Sequence, residues 1–173
     1  MITALCTRAD TPYKTLGVDC FDAKRDAYSF RGSGPVIAHP PCRAWGKYHK
    51  WSKHTQREKE LAPFCLDVVR RNGGVLEHPA YSSFWNYAQL PRPGELSFCQ
   101  GRTFSINQWD FGHRALKPTW LYIVGYDPPP YTRRPIAKTL SVEMMCRRER
   151  EHTPIELAKW LVSILSQPLL GVP

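Results

Sequence analysis

Short apolar runs bounded by glycine and proline alternate along the chain with stretches of helical spacing, the pattern of strands and helices laid down in turn. Residues 2–6 form the first apolar run, too short for a secretory signal, and are expected to be a strand. Residues 7–16 are polar, contain Pro12 and read as loop. Gly17-Val18-Asp19-Cys20-Phe21-Asp22 reads as a second short strand ending in acids. After the turn Gly32-Ser33-Gly34, residues 35–39 are short, apolar and β-branched, as a buried strand is. That strand runs into Pro40-Pro41-Cys42, where two prolines stop it and stiffen its exit.

Residues 55–71 carry Leu61, Phe64, Cys65, Val68 and Val69 at helical spacing, with Thr55 and Glu58 placed as a capping box. Pro63 implies a kink or a later start, and Asn72-Gly73-Gly74 a stop. Val75-Leu76-Glu77 follows as a strand, so strand, helix and strand make a parallel crossover unit. Residues 90–101 read as mostly loop, 103–108 and 119–124 as strands, and the proline-rich 126–140 as irregular. Thr153-Pro154-Ile155-Glu156 reads as a second capping box, opening a helix with Ile155, Ala158, Leu161, Val162 and Leu165 on one face. The order predicts one α/β domain spanning residues 1–173, with a mostly parallel sheet flanked by helices.

Composition narrows the setting. A chain of 173 residues with 42% hydrophobic positions suits one packed core and excludes a disordered tail. No apolar run is long enough to span a membrane. Cysteines at 6, 20, 42, 65, 99 and 146 lack regular spacing and are expected as free thiols in a reducing cytoplasm. A net charge of +9 favours a polyanionic partner, with nucleic acid foremost.

Several clusters could carry chemistry. In His39-Pro40-Pro41-Cys42 the cysteine has a fixed position, and Arg43, Lys47 and His39 are candidates to lower its thiol pKa. Residues 43–57 hold Arg43, Lys47, Lys50, Lys53 and Arg57 without an acid, interleaved with Trp45, Tyr48 and Trp51, as for phosphate contacts and base stacking. Glu77, at the end of its strand, would reach the same rim as Cys42 if the two strands are parallel neighbours, and could hydrogen-bond the N3 edge of a pyrimidine. Gln108, Asp110, His113 and Lys117 lie in a polar, aromatic connection between two strands. Arg147 and Arg148 are candidate phosphate contacts. His39, Cys42, His78, His113, Cys146 and His152 lack zinc-ligand spacing.

These pieces, in this order, resemble the C5-cytosine DNA methyltransferases, and more closely their small relatives from bacteriophage genomes. Pro41-Cys42 is similar to the family's Pro-Cys nucleophile motif. Glu77 matches its Glu-Asn motif, with His78 where Asn is usual, and Gln108 to Gly112 looks like its Gln-x-x-x-Gly segment. Phe111-Gly112-His113 and Lys117-Pro118-Thr119 resemble a pattern of the phage relatives. The resemblance implies a reduced Rossmann-like, methyltransferase-like fold. It implies Cys42 as the nucleophile on C6 of a flipped pyrimidine in double-stranded, pre-modified or plain DNA, with Glu77, His39 and His113 as its catalytic partners. Pro41, Trp45, His78, Gln108, Asp110 and Lys117 would hold the base.

Departures from the family shape the expectation. No glycine follows the first strand, where members bind S-adenosylmethionine, so that pocket is expected to be shortened or lost. The leading expectation is transfer at a pyrimidine 5-position without S-adenosylmethionine, as in amino-acid transfer during thymidine hypermodification in phage-infected cytoplasm. The alternatives are S-adenosylmethionine-dependent cytosine methylation and a non-catalytic DNA-binding or host-inhibiting derivative.

Overall fold

A computed structural model describes residues 1–95, 100–136 and 139–170. Six strands form one sheet in the order β2-β1-β3-β4-β6-β5. They are β1 (Thr3–Leu5), β2 (Asp19–Phe21), β3 (Val36–Ala38), β4 (Gly74–Pro79), β5 (Gly101–Asn107) and β6 (Pro118–Val124). Among the described residues the α-helices are α1 (Gln56–Asn72), α2 (Phe84–Tyr87), α3 (Arg147–Glu151) and α4 (Ile155–Leu165).

Strands β2, β1, β3 and β4 pair in parallel, while β6 runs antiparallel to both β4 and β5. The sheet is therefore mixed rather than mostly parallel. The reason is local: β5 and β6 are joined by a short turn, Gln108–Phe111, and a few more residues, too few for a crossover. Strand positions alternate between two cores. Leu5, Val36, Ala38 and Leu76 face α1, and Ala4, Ile37 and Val75 face α4. The connection from β1 to β2 through the 3-10 turn Pro12–Leu16 lies on the α4 face. The connections from β2 to β3 and from β3 to β4 lie on the α1 face. Right-handed crossovers that step in opposite directions along a sheet need opposite faces, which this arrangement supplies.

The helix α1 runs unbroken through Pro63. Proline has no N–H, so the carbonyl of Lys59 one turn earlier loses its helical donor. The Trp45 indole Nε1 donates to that carbonyl at 3.1 Å. Thr55 caps the helix by accepting from the Glu58 N–H at 3.1 Å, but the Glu58 carboxylate turns to Arg43, so the reciprocal half of the expected box is absent. The second expected box does not form: Pro154 is itself the cap residue and makes no side-chain cap bond. The buried face of α4 is Leu157, Ala158, Leu161, Ile164 and Leu165, with Ile155 exposed. The described cysteines 6, 20, 42, 65 and 146 are free thiols. The expectations for Cys99, for 96–99 within the loop and for 137–138 within the irregular stretch lie outside the described residues.

Leu161 is fully buried at the centre of the α4 face. Leu161→Ala should cost about 2–5 kcal/mol of stability, read as a lowered urea midpoint; a loss well under 1 kcal/mol would mean that α4 is not a core element.

Candidate functional site

Cys42 and Glu77 leave the sheet side by side because β3 and β4 are parallel neighbours, Ala38 pairing with Leu76. Where β1 connects onward to β2 on one side and its neighbour β3 connects onward to β4 on the other, the sheet has a switch point, and the strand ends there open a crevice. A cleft of about 950 Å³ lies at these ends. Its walls are the β1 exit at residues 6–12, residues 22–27 past β2, residues 39–43 past β3, Glu77 and Pro79 on β4, Lys117 before β6, and α3 with its flanks.

Glu77 is bonded from two sides. His39 Nδ1 lies 3.0 Å from Oε2, and Gln108 Nε2 donates to Oε1 at 3.0 Å. A carboxylate only accepts, so His39 Nδ1 carries the hydrogen. Its Nε2 lies 2.8 Å from the hydroxyl of Tyr13, which is fully buried. Gln108 also donates to the Thr119 hydroxyl at 3.1 Å. Burial opposes ionisation of Glu77, but the His39 hydrogen bond and the charges of His39 and Lys117 outweigh it and hold the carboxyl at about 2.

Cys42 presents its thiol to solvent, yet the cleft walls surround it. Burial and then the charge of Glu77 push its pKa up, with Lys117 opposing. This corrects the expectation of a thiol acidified by Arg43, Lys47 and His39. Arg43 is committed to Glu58 at 2.8 Å, and His39 to Tyr13 and Glu77.

Of the expected site residues, Cys42, His39, Pro41, Glu77, Lys117, Arg43, Arg57 and Arg147 line the cleft, and Gln108 backs Glu77. Arg57 is paired with Asp26, and Arg147 with Glu151 at 2.8 Å. Arg148 pairs with Asp10 of the cleft wall at 3.2 Å. Lys47, Lys50 and Lys53 are exposed outside it. Four expected residues lie elsewhere. Trp45 is buried against Phe84 and Tyr87, so it offers no face to a base. His78 follows Glu77 on a strand and therefore points to the opposite face, buried against Phe84 and Trp85. His113 is buried, its Nδ1 against the Ala115 backbone. Asp110 accepts from the Arg134 backbone N–H at 3.1 Å.

Tyr13 and Arg8 belong to the site or its rim and were not singled out from sequence, while Thr119 and Arg150, named only within longer motifs, join them there. Nothing local marks a tyrosine in the loop after β1; only the fold brings it to His39. Lys117 Nζ donates to the Arg150 carbonyl at 2.9 Å, which ties the β6 entrance to α3. Among the described residues no three His, Cys, Asp or Glu side chains converge as metal ligands do, and no helix is long and apolar enough to cross a membrane. The β1 end of the cleft departs from an S-adenosylmethionine pocket at Cys6. Cys6 takes a left-handed φ of +58° where glycine would be at ease. Arg8, Lys24 and Arg57 line that end together with Asp10, Asp22 and Asp26. Asp10 and Asp26 are spent on Arg8 and Arg57.

No family model, curated protein or solved structure matches the chain.

His78 tests this placement. Burial lowers its pKa to about 4 from 6.5, against the pull of Glu77, and both ring nitrogens lack a partner among the described residues. The unfolded chain takes up the proton more readily. The stability tied to neutral His78 is full above pH 6.5 and lost as pH falls towards 4, by about 3 kcal/mol. Glu77 adds a second loss between pH 4.5 and 2. His78→Phe should flatten the first fall in urea midpoints while the second persists; an unchanged slope between pH 6.5 and 4 would refute the buried neutral ring.

Proposed function

We propose that the protein is a DNA-modifying transferase acting at the 5-position of a pyrimidine, in a reduced methyltransferase-like α/β fold. The observation that carries the reading is the opening of Cys42 and the ionised Glu77 into one cleft from adjacent parallel strands. A thiol nucleophile and a hydrogen-bonding carboxylate are what attack at C6 of a pyrimidine requires. The cations Lys117 and Arg150 at the opening suit a phosphate backbone.

The chemistry is addition and elimination. Cys42 loses its proton to solvent, and its sulfur bonds to C6. The C5=C6 electron pair moves towards C5. If the 5-methylene carries a leaving group, that pair expels it and leaves an exocyclic methylene. An amine, such as that of an amino acid, adds to the methylene and releases its proton. The returning electron pair then expels the Cys42 sulfur and restores the ring. Glu77 holds the ring through its N3 edge during both steps, and Gln108 with His39 holds Glu77. The raised thiol pKa means that Cys42 is largely protonated in the free protein, a resting state protected from adventitious chemistry.

Methylation of cytosine with S-adenosylmethionine is the second reading, and the lack of a glycine after β1, where Cys6 takes a left-handed φ, weighs against it. Nucleoside mass spectrometry separates the two. DNA containing cytosine, 5-hydroxymethyluracil or its phosphorylated forms is treated with protein, with and without S-adenosylmethionine and amino acids. An amino-acid adduct on activated DNA is expected, absent with Cys42→Ser and reduced at least about 100-fold with Glu77→Gln. A methyl gain would favour the second reading. Full turnover by Cys42→Ser would exclude both.

A further inference from the structure

Two loops leaving the sheet beside the cleft carry large aromatic rings into solvent. Trp51 is 79% exposed, Tyr48 53% and Tyr81 83%, an unusual display for a soluble surface. The rings of Tyr48 and Trp51 lie 6.3 Å apart. The first loop follows Cys42 directly, and the second follows Pro79 at the end of β4.

Both loops hang from one anchor. The Trp45 and Gly46 N–H groups donate to the Cys42 carbonyl at 3.0 and 2.7 Å, and the Ser52 hydroxyl donates to the Arg43 carbonyl at 2.7 Å. On the second loop, the Ser83 N–H, the Ser83 hydroxyl and the Ser82 hydroxyl all donate to the Trp45 carbonyl, at 2.8, 3.0 and 3.2 Å. Trp45 in turn is pinned to the Lys59 carbonyl that Pro63 leaves free. The supporting backbone of both loops is thus fixed relative to Cys42, which lowers the entropy cost of using their rings. Residues 43–57 add five cations and no acid, with Lys47 Nζ 5.4 Å from the Tyr48 ring centre.

We propose that these two loops form a stacking rim for unpaired bases of a DNA strand, so that the protein takes its target from single-stranded or locally opened DNA. Aromatic faces set among cations bind such strands, bases stacking on the rings while phosphates meet the lysines. In a closed duplex each base face is covered by its neighbours, so the rings have nothing to stack on. An opened strand also spares the cost of extruding the target base. The inference rests on the pyrimidine-modifying reading for what happens at Cys42, and extends it to the state of the DNA.

Fluorescence anisotropy tests it, with a labelled oligonucleotide measured single-stranded and as its blunt duplex. The single strand should bind at least about 10-fold more tightly, and Trp51→Ala and Tyr81→Ala should each weaken it about 10-fold while leaving the duplex affinity nearly unchanged. Trp51→Phe, which keeps a ring, should retain most of the affinity. Unchanged circular dichroism of each variant excludes misfolding. Equal affinity for both DNA forms, or single-strand affinity indifferent to both alanine variants, overturns the inference. If Cys42-dependent product still forms on duplex DNA in that case, the functional reading stands without it. If the wild type neither binds nor modifies any strand, the reading falls and takes the inference with it.

Discussion

Burying a carboxylate is costly unless its oxygens receive donors and a counter-charge, and Glu77 receives them from several elements at once. His39 comes from the exit of β3, Gln108 from the turn after β5, and the charge of Lys117 from the entrance of β6. Each partner is held in turn: His39 by Tyr13 from the connection after β1, Gln108 by Thr119, and Lys117 by the Arg150 carbonyl. Keeping one side chain ionised therefore fixes the mutual positions of the β1 connection, the β3 exit, the β5–β6 turn and α3. These are the walls of the cleft.

The same network shapes Cys42. Burial, and then the negative charge of Glu77 in the same cleft, oppose ionisation of its thiol, and only Lys117 among the nearby charges favours it. On the proposed reading, Cys42 is therefore a guarded nucleophile in the free protein. The network also gives Lys117 a double part, since its charge favours both the Glu77 carboxylate and the Cys42 thiolate. The proline before the cysteine sets its position, and the carbonyl of Cys42 accepts two N–H groups of the following turn. The thiol is placed by backbone rather than by side-chain partners.

Much of this was legible along the chain. The expected strands overlap all six strands of the sheet, and Pro40-Pro41 marked the exit that carries Cys42. The parallel pairing of β3 and β4 followed from the helix between them. Other features were hidden for physical reasons. His78 and Trp45 carry polar, functional-looking side chains, and strand alternation or a partner one turn before Pro63 sends them into the core. The antiparallel insertion of β6 depends on which neighbour β5 leaves open, a choice made by the whole sheet. Tyr13 is joined to His39 across 26 positions, a distance at which no local pattern speaks.

The central claim is that Cys42 adds to C6 of a pyrimidine ring, whatever group is later transferred. Addition makes C5 basic, so a hydrogen there is replaced from solvent when the sulfur leaves again, without any donor. Release of tritium from DNA carrying 5-tritiated deoxyuridine or deoxycytidine measures that step alone. The account predicts release into water by the wild type, abolished by Cys42→Ser and strongly slowed by Glu77→Gln. No release from either base, or release undiminished by Cys42→Ser, would contradict it.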